Sequence, residues 1–387
     1  MKYLLALFLV VGLFSGCNKK NEETKWGVFN EPVEIQPLPT TAGVQEIKVS
    51  WDRDIGDAGE QGYAILRPAV VYDAVFVSNR RGRVQRIGLE SGQQEWLSEL
   101  DSNTFSGVGA GEGLAVVALD NGAVIALDAA SGEQRWVTKL NRQISAVPTV
   151  GAGRVIVRTA DGALMGLDTV SGEVIWKVQR TVPGFSVHGD SSPLISGDAV
   201  VTGLPNGKLM ANSVVNGRDF WETDLSFGGG TNELERLSDI DSQPVVLGST
   251  LFAATYQGDV VSLDLPSSSI AWRQEISTRL PLAIGGDQLY MTDTDGGIFA
   301  LRSDSGEKLW HQSGLQGRGI SNPVALGNRI VIGDADGNLH LLDSGDGALL
   351  QTIEVAKGAI VSLVASSNGL IALSSKGDVV SIVIDQG

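Results

Sequence analysis

The stretch DNGAVIALDAASGEQRW, residues 120–136, has close relatives along most of the chain, and this recurrence limits the possible folds more than any other feature. In register with it stand NRRGRVQRIGLESGQQEW (79–96), ADGALMGLDTVSGEVIW (160–176), PNGKLMANSVVNGRDFW (205–221), YQGDVVSLDLPSSSIAW (256–272), TDGGIFALRSDSGEKLW (294–310) and ADGNLHLLDSGDGALLQ (335–351). An eighth copy, SKGDVVSIVIDQG (375–387), stops before the tryptophan position. The turn glycines are Gly82, Gly122, Gly162, Gly207, Gly258, Gly296, Gly337 and Gly377. Fourteen residues after each of the first six comes a tryptophan, and after the seventh comes Gln351.

Each copy reads as two successive hairpins. In RVIVRT-ADG-ALMGLD, alternating apolar residues flank a dipeptide that tolerates positive φ, and the next turn, TVSG, leads into EVIWKV. A further strand precedes the first hairpin: Pro68, Pro148, Pro193, Pro244 and Pro323 all lie fourteen residues before their turn glycines. Proline lacks the N–H that a central strand donates, so these prolines mark the first strand as an edge. Four short antiparallel strands about every 40 residues describe a propeller blade. The expected fold is therefore all-β, an eight-bladed β-propeller of four-stranded antiparallel blades. One blade cannot bury both faces, but eight in a ring can. Trp96, Trp136, Trp176, Trp221, Trp272 and Trp310 then pack on neighbouring blades. A cofactor-stacking row is the sharper reading of these rings, but residues spread once per blade cannot converge on one site. The eighth copy needs an outer strand, and EIKVSWDRDI (46–55) has the alternation and supplies Trp51. The N-terminal strand should close the ring.

Upstream, MKYLLALFLVVGLFSGC has a cationic start at Lys2, an apolar run from Tyr3 to Phe14, and small Ser15 and Gly16. This is the pattern of a secretory signal over 1–16, too short for an ordinary membrane span. Cys17, the sole cysteine, directly follows the small pair and cannot form an internal disulfide. Residues 17–45 are polar, contain Pro32, Pro37 and Pro39, and read as a lipid-bearing cysteine followed by a flexible tether. At ~3.3 Å per residue such a tether spans at most roughly 90 Å. Residues 46–387 are expected to form the single propeller domain. The net charge of −16 would repel a phosphate backbone on average, so nucleic acid is not expected as a partner.

The repeat is stretched in two consecutive places. Trp136 to Pro148 is 12 residues and Trp310 to Pro323 is 13, but Trp176 to Pro193 is 17 and Trp221 to Pro244 is 23. The long segments, VQRTVPGFSVHGDSSP (178–193) and TDLSFGGGTNELERLSDIDSQP (223–244), join one blade to the next and must emerge side by side on one face. Insertions in repeat folds commonly map to the binding face, although drift in surface loops also lengthens connectors. Phe185 and Val187 alternate around Ser186 like a short strand, and Arg236, Asp239 and Asp241 add charge nearby. An apolar anchor with a polar rim suits a protein partner. Turn capping is the competing role for Asp239 and Asp241.

Catalytic and metal-binding patterns are missing. His188, His311 and His340 are far apart with no ligand spacing, and read as ordinary surface or turn residues. GDADGN (333–338) and TDTDGG (292–297) are acidic, but their glycines come too early for an EF-hand and coincide with the repeat's hairpin turn. GVGAGEG (107–113) fails the dinucleotide register, and no G-x-S-x-G is present.

The frame Ala126, Asp128, Gly132, Trp136 resembles the tryptophan-docking motif of the pyrroloquinoline-quinone-type propellers. Two subfamilies share it, the quinoprotein dehydrogenases and the BamB family of lipoproteins in the outer-membrane β-barrel assembly machine. Length, eight repeats, RLSDIDSQPVV (236–246) and the residues around Cys17 look like the BamB family. Phe14 stands where the lipobox usually has leucine, and Asn18 after the cysteine implies release to the outer membrane. The resemblance implies a non-catalytic scaffold without cofactor or metal, lipid-anchored at Cys17 in the outer membrane and facing the periplasm. It also implies contact with the POTRA domains of BamA, including strand pairing, and a role towards nascent outer-membrane proteins. Phe185, Val187, Asp239 and Asp241 match the family's contact positions, while His188 stands where the family has Arg and lacks the guanidinium fork. A quinoprotein dehydrogenase, which would place adjacent cysteines beside its cofactor, and a scaffold of another envelope complex remain the alternatives.

Overall fold

In the computed structural model, the described residues are 35, 37–38, 46–56, 58, 66–181, 191–225, 240–256 and 258–385. They form eight four-stranded antiparallel sheets, each made of consecutive strands except the last. We number these blades 1 (69–99), 2 (109–139), 3 (149–179), 4 (194–224), 5 (245–274), 6 (283–312), 7 (324–354) and 8 (360–384 with Ile47–Asp54). Inner strands of neighbouring blades touch around the ring, and those of blades 8 and 1 meet to close it. The expected eight-bladed propeller is borne out.

Burial within a blade follows from its place between two others. The second strand of blade 2, Leu114–Ala118, is buried at every position, because both of its faces are covered by adjacent blades. Its outer strand, Gln134–Lys139, alternates with solvent and buries only Trp136. A β-bulge just before the tryptophan shifts the register, so Ala126 opposes Trp136 while Leu127 opposes Gln134. Such a bulge re-aims the side chain that follows it. The apolar residues accordingly collect in clusters between blades, each drawing side chains from two neighbours, as Val116 and Val155 do between blades 2 and 3.

The tryptophans lock these interfaces. Trp136 Nε1 donates to the Thr169 carbonyl of the next blade at 2.9 Å, and its ring lies over Gly172. A Cβ on Gly172 would stand 2.6 Å from that ring, so the position needs glycine both for the approach and for its φ of +73°. Blade 4 departs from the rule. The turn it faces has Ser268 at φ +57° where its equivalents have glycine, and Trp221 is only partly buried.

The N-terminal strand completes blade 8 as the repeat predicts. Ile47–Asp54 pairs antiparallel with Asp378–Ile384, and the bulge between Val49 and Trp51 reproduces the one found in the other blades. Gln351, in the seventh copy's tryptophan position, accepts the backbone N–H groups of Glu46 and Ile47 at 2.9 and 3.0 Å. Glu46 also pairs with Arg329 at 2.7 Å. Leu38, within the stretch read as tether, packs against the cluster between blades 6 and 7.

Candidate binding face at the channel mouth

Each outer strand ends, and the next inner strand begins, at the same end of the ring, because every blade has four antiparallel strands. The two long connectors leave after Gln179 and Asp224 and return at Leu194 and Val245. Their described ends meet at one depression, where Ser192 from the first and Asp241 and Gln243 from the second line the wall. The expectation that both stretched segments share a face is met at these ends. Phe185, Val187, His188, Arg236 and Asp239 lie outside the described residues, as does Cys17.

Asp241 is the one predicted contact residue with a described position. It is 8% exposed and flanked by Ile240 and Ser242, both fully buried. Ile240 fills the space over Gly203, where a Cβ would stand 2.4 Å away, and so docks the returning connector on blade 4. Ser242 Oγ bonds the Ala254 backbone in blade 5. On the first connector, buried Arg158 donates to the Ser191 carbonyl at 3.3 Å. The bases of both connectors are thus fixed by the rigid blades beneath them.

The depression draws on blade 1 and on connectors around much of the ring. Arg67, Val147, Ser192, Gln243 and Pro281 reach it from blades 1, 3, 4, 5 and 6 at the same place in the repeat, just upstream of the inner strand. Phe105 and Arg279 complete its rim. Arg67 Nη1 donates to Gln243 Oε1 from the opposite side of the ring. Burial pushes the Arg67 guanidinium below its ordinary pKa. Arg279 is exposed, with its guanidinium 5.4 Å from the Tyr256 ring centre. Sequence reading passed over Arg67, Gln243 and Arg279, although Arg67 and Gln243 directly precede the landmark prolines Pro68 and Pro244.

A second polar site lies in blade 7, apart from the residues that line this depression. His340 was expected to be an ordinary surface or turn residue, but it and Asp334 are fully buried, with Nε2 3.1 Å from Asp334 Oδ2 and Nδ1 2.9 Å from Thr352. Burial alone would raise the Asp334 pKa, but hydrogen bonding to His340 and Asn338 outweighs it and holds the carboxyl below its ordinary value. Asp293, in the equivalent turn of blade 6, bonds the same backbone positions without such side-chain partners, and burial raises its pKa. Both acidic runs are hairpin turns, as read from the sequence. Among the described residues no three His, Cys, Asp or Glu side chains gather as a metal site.

The quinone that related propellers hold in the central funnel does not fit these residues. The Arg67–Gln243 bond bridges the mouth, and a Cβ on Gly107 would stand 2.4 Å from the Arg67 carbonyl oxygen, so the walls of blades 1 and 2 are already in contact. No cysteine pair is available to sit beside such a cofactor.

Fold and site together define an eight-bladed, tryptophan-locked propeller whose candidate binding face is built from the connectors between blades. Residues 80–312 match the family model described as outer membrane protein assembly factor BamB. The chain is 38% identical to the outer membrane protein assembly factor BamB of Legionella pneumophila (strain Paris), over 97% of this chain and 98% of that one. It superimposes on the crystal structure of BamB from Moraxella catarrhalis with a TM-score of 0.80 at 30% identity, covering 87% of this chain and 100% of that one. The chain belongs to the BamB family of outer membrane protein assembly factors. Quinohemoprotein alcohol dehydrogenase from Comamonas testosteroni shares the fold alone, with a TM-score of 0.69 at 14% identity over 88% of this chain and 77% of that one.

Proposed function

We propose that this chain is a non-catalytic scaffold of the outer-membrane protein assembly machinery, and that the face carrying the two long connectors holds BamA through its periplasmic POTRA region. The observation that carries this reading is the convergence of both connector bases on one rigid face, with Asp241 fixed between buried Ile240 and Ser242. A partner gripping connectors seated on a rigid base loses little ordering entropy on binding. Phe185 and Val187 supply the apolar anchor of this contact, and His188, Arg236 and Asp239 its polar rim. Binding positions BamA, and with it the incoming barrel precursors, for insertion.

Cys17 carries the lipid that anchors the domain to the outer membrane, with the propeller in the periplasm. Residues 1–16 are the signal peptide and 17–45 the lipidated cysteine and its tether. Cys17→Ser should remove palmitate labelling and release the protein from the membrane fraction.

Affinity capture from detergent-solubilised envelopes tests the scaffold reading. The wild-type chain should retain BamA, and charge reversals in 223–244, with Asp241→Lys first among them, should reduce the amount captured at least tenfold while leaving the folded domain intact. Equal capture by Asp241→Lys removes that residue from the interface, and no capture by the wild type removes the reading itself.

A further inference from the structure

The mouth of the channel holds two guanidinium groups whose charge is not matched by a described partner. Among the described residues, the Arg67 side chain bonds only the neutral amide of Gln243, and Arg279 meets only the face of Tyr256. A guanidinium drawn into this mouth and bonded only to a neutral amide loses hydration that the amide replaces poorly, which favours an anion entering from solvent. Asp241 lines the same depression, so cations outnumber anions there by two to one in a chain whose net charge is −16. The rest of the wall combines Phe105, Ala146, Val147 and Pro281 with the three serines Ser106, Ser145 and Ser192. In a repeat fold such residues meet only at the axis, where equivalent positions from different blades converge.

We propose that this mouth binds a carboxylate carried on a small apolar body, with Arg67 and Arg279 as its charge partners and Phe105, Val147 and Pro281 as its walls. Guanidinium matches the planar carboxylate with two parallel N–H bonds, and the apolar walls exclude the water that would compete for them. Gln243 holds the Arg67 fork in place until the anion arrives. The site goes beyond the scaffold reading and does not depend on it, since its charge partners Arg67 and Arg279 are not among the residues proposed to touch BamA, although Asp241, which is, lines the same depression. Two sources share this chemistry, a free short-chain acid and the C-terminal carboxylate of a peptide.

Isothermal titration of the full chain in detergent separates them. The probes are butyrate and a tetrapeptide ending in leucine with a free carboxylate, each set against its amide, with inorganic phosphate as a further arm. We expect saturable one-site binding of at least one carboxylate, at least tenfold weaker binding of its amide, and at least tenfold weaker binding by Arg67→Gln and by Arg279→Gln. The tighter of the two carboxylates identifies the source. Amides that bind as tightly, binding unchanged in the folded variants, phosphate binding alone, or no binding at all would each overturn the proposal. Arg279 is exposed, so its variant decides the matter should Arg67→Gln fail to fold.

Discussion

Trp51 donates its indole N–H to the Leu89 carbonyl at 2.8 Å, and its ring covers Gly92, so the first strand of the propeller is docked onto blade 1 by the same contact that joins the other blades. Around most of the ring the contact joins one repeat to the next in sequence. Here it joins strand Ile47–Asp54, which sits in the last blade, to the first, and seals the ring with covalently distant pieces. An open ring would leave two blade faces in water.

Closure should therefore depend on the residues that hold the strand. Gln351→Ala leaves the N–H groups of Glu46 and Ile47 without their acceptor and should cost about 1–3 kcal/mol in urea denaturation. Deleting 46–55 should do more, lowering the melting temperature and broadening the transition. If the deletion melts as the full chain does, the ring is not closed by this strand.

The turn that faces Trp221 should be stabilised by glycine. Ser268→Gly removes the cost of a non-glycine residue at φ +57° and should stabilise the domain by roughly 1 kcal/mol. The converse change, Gly172→Ala, puts a methyl into the Trp136 ring and should destabilise it by about 1–3 kcal/mol. A Ser268→Gly variant no more stable than wild type would mean that the left-handed conformation at Ser268 carries no cost.

Acid stability should report on the buried pair in blade 7. The Asp334 pKa is lower in the folded chain than its ordinary value, so its stabilisation is complete above the ordinary carboxylate range, near pH ~4, and is lost as the pH falls through the folded value. Urea midpoints measured from pH 7 to pH 3 should fall less steeply at the acid end for Asp334→Asn than for wild type. Parallel curves would show that Asp334 contributes nothing to the acid limb.

Quinone chemistry should be absent. Purified chain supplied with pyrroloquinoline quinone and Ca²⁺ should show no bound quinone absorbance and no dye reduction with alcohols or sugars. Stoichiometric quinone uptake would contradict the bridged mouth described for Arg67 and Gln243.

The sequence by itself determined the blade, its number and its closure. Strand alternation, turn glycines and the fixed interval to Trp are local signals, so they survive reading in one dimension, and Trp51 could be assigned to blade 8 because the eighth copy stops before its outer strand and EIKVSWDRDI supplies one. The two long connectors were equally legible as departures from a regular spacing. The tertiary structure decided what sits at the axis. Arg67 and Gln243 are 176 residues apart, and nothing in either local neighbourhood says that half a turn of the ring brings them together. It also decided the interior place of His340, a polar residue on a strand covered on both faces. A periodic sequence fixes which positions are equivalent, but only the closed ring determines which of those equivalent positions face one another.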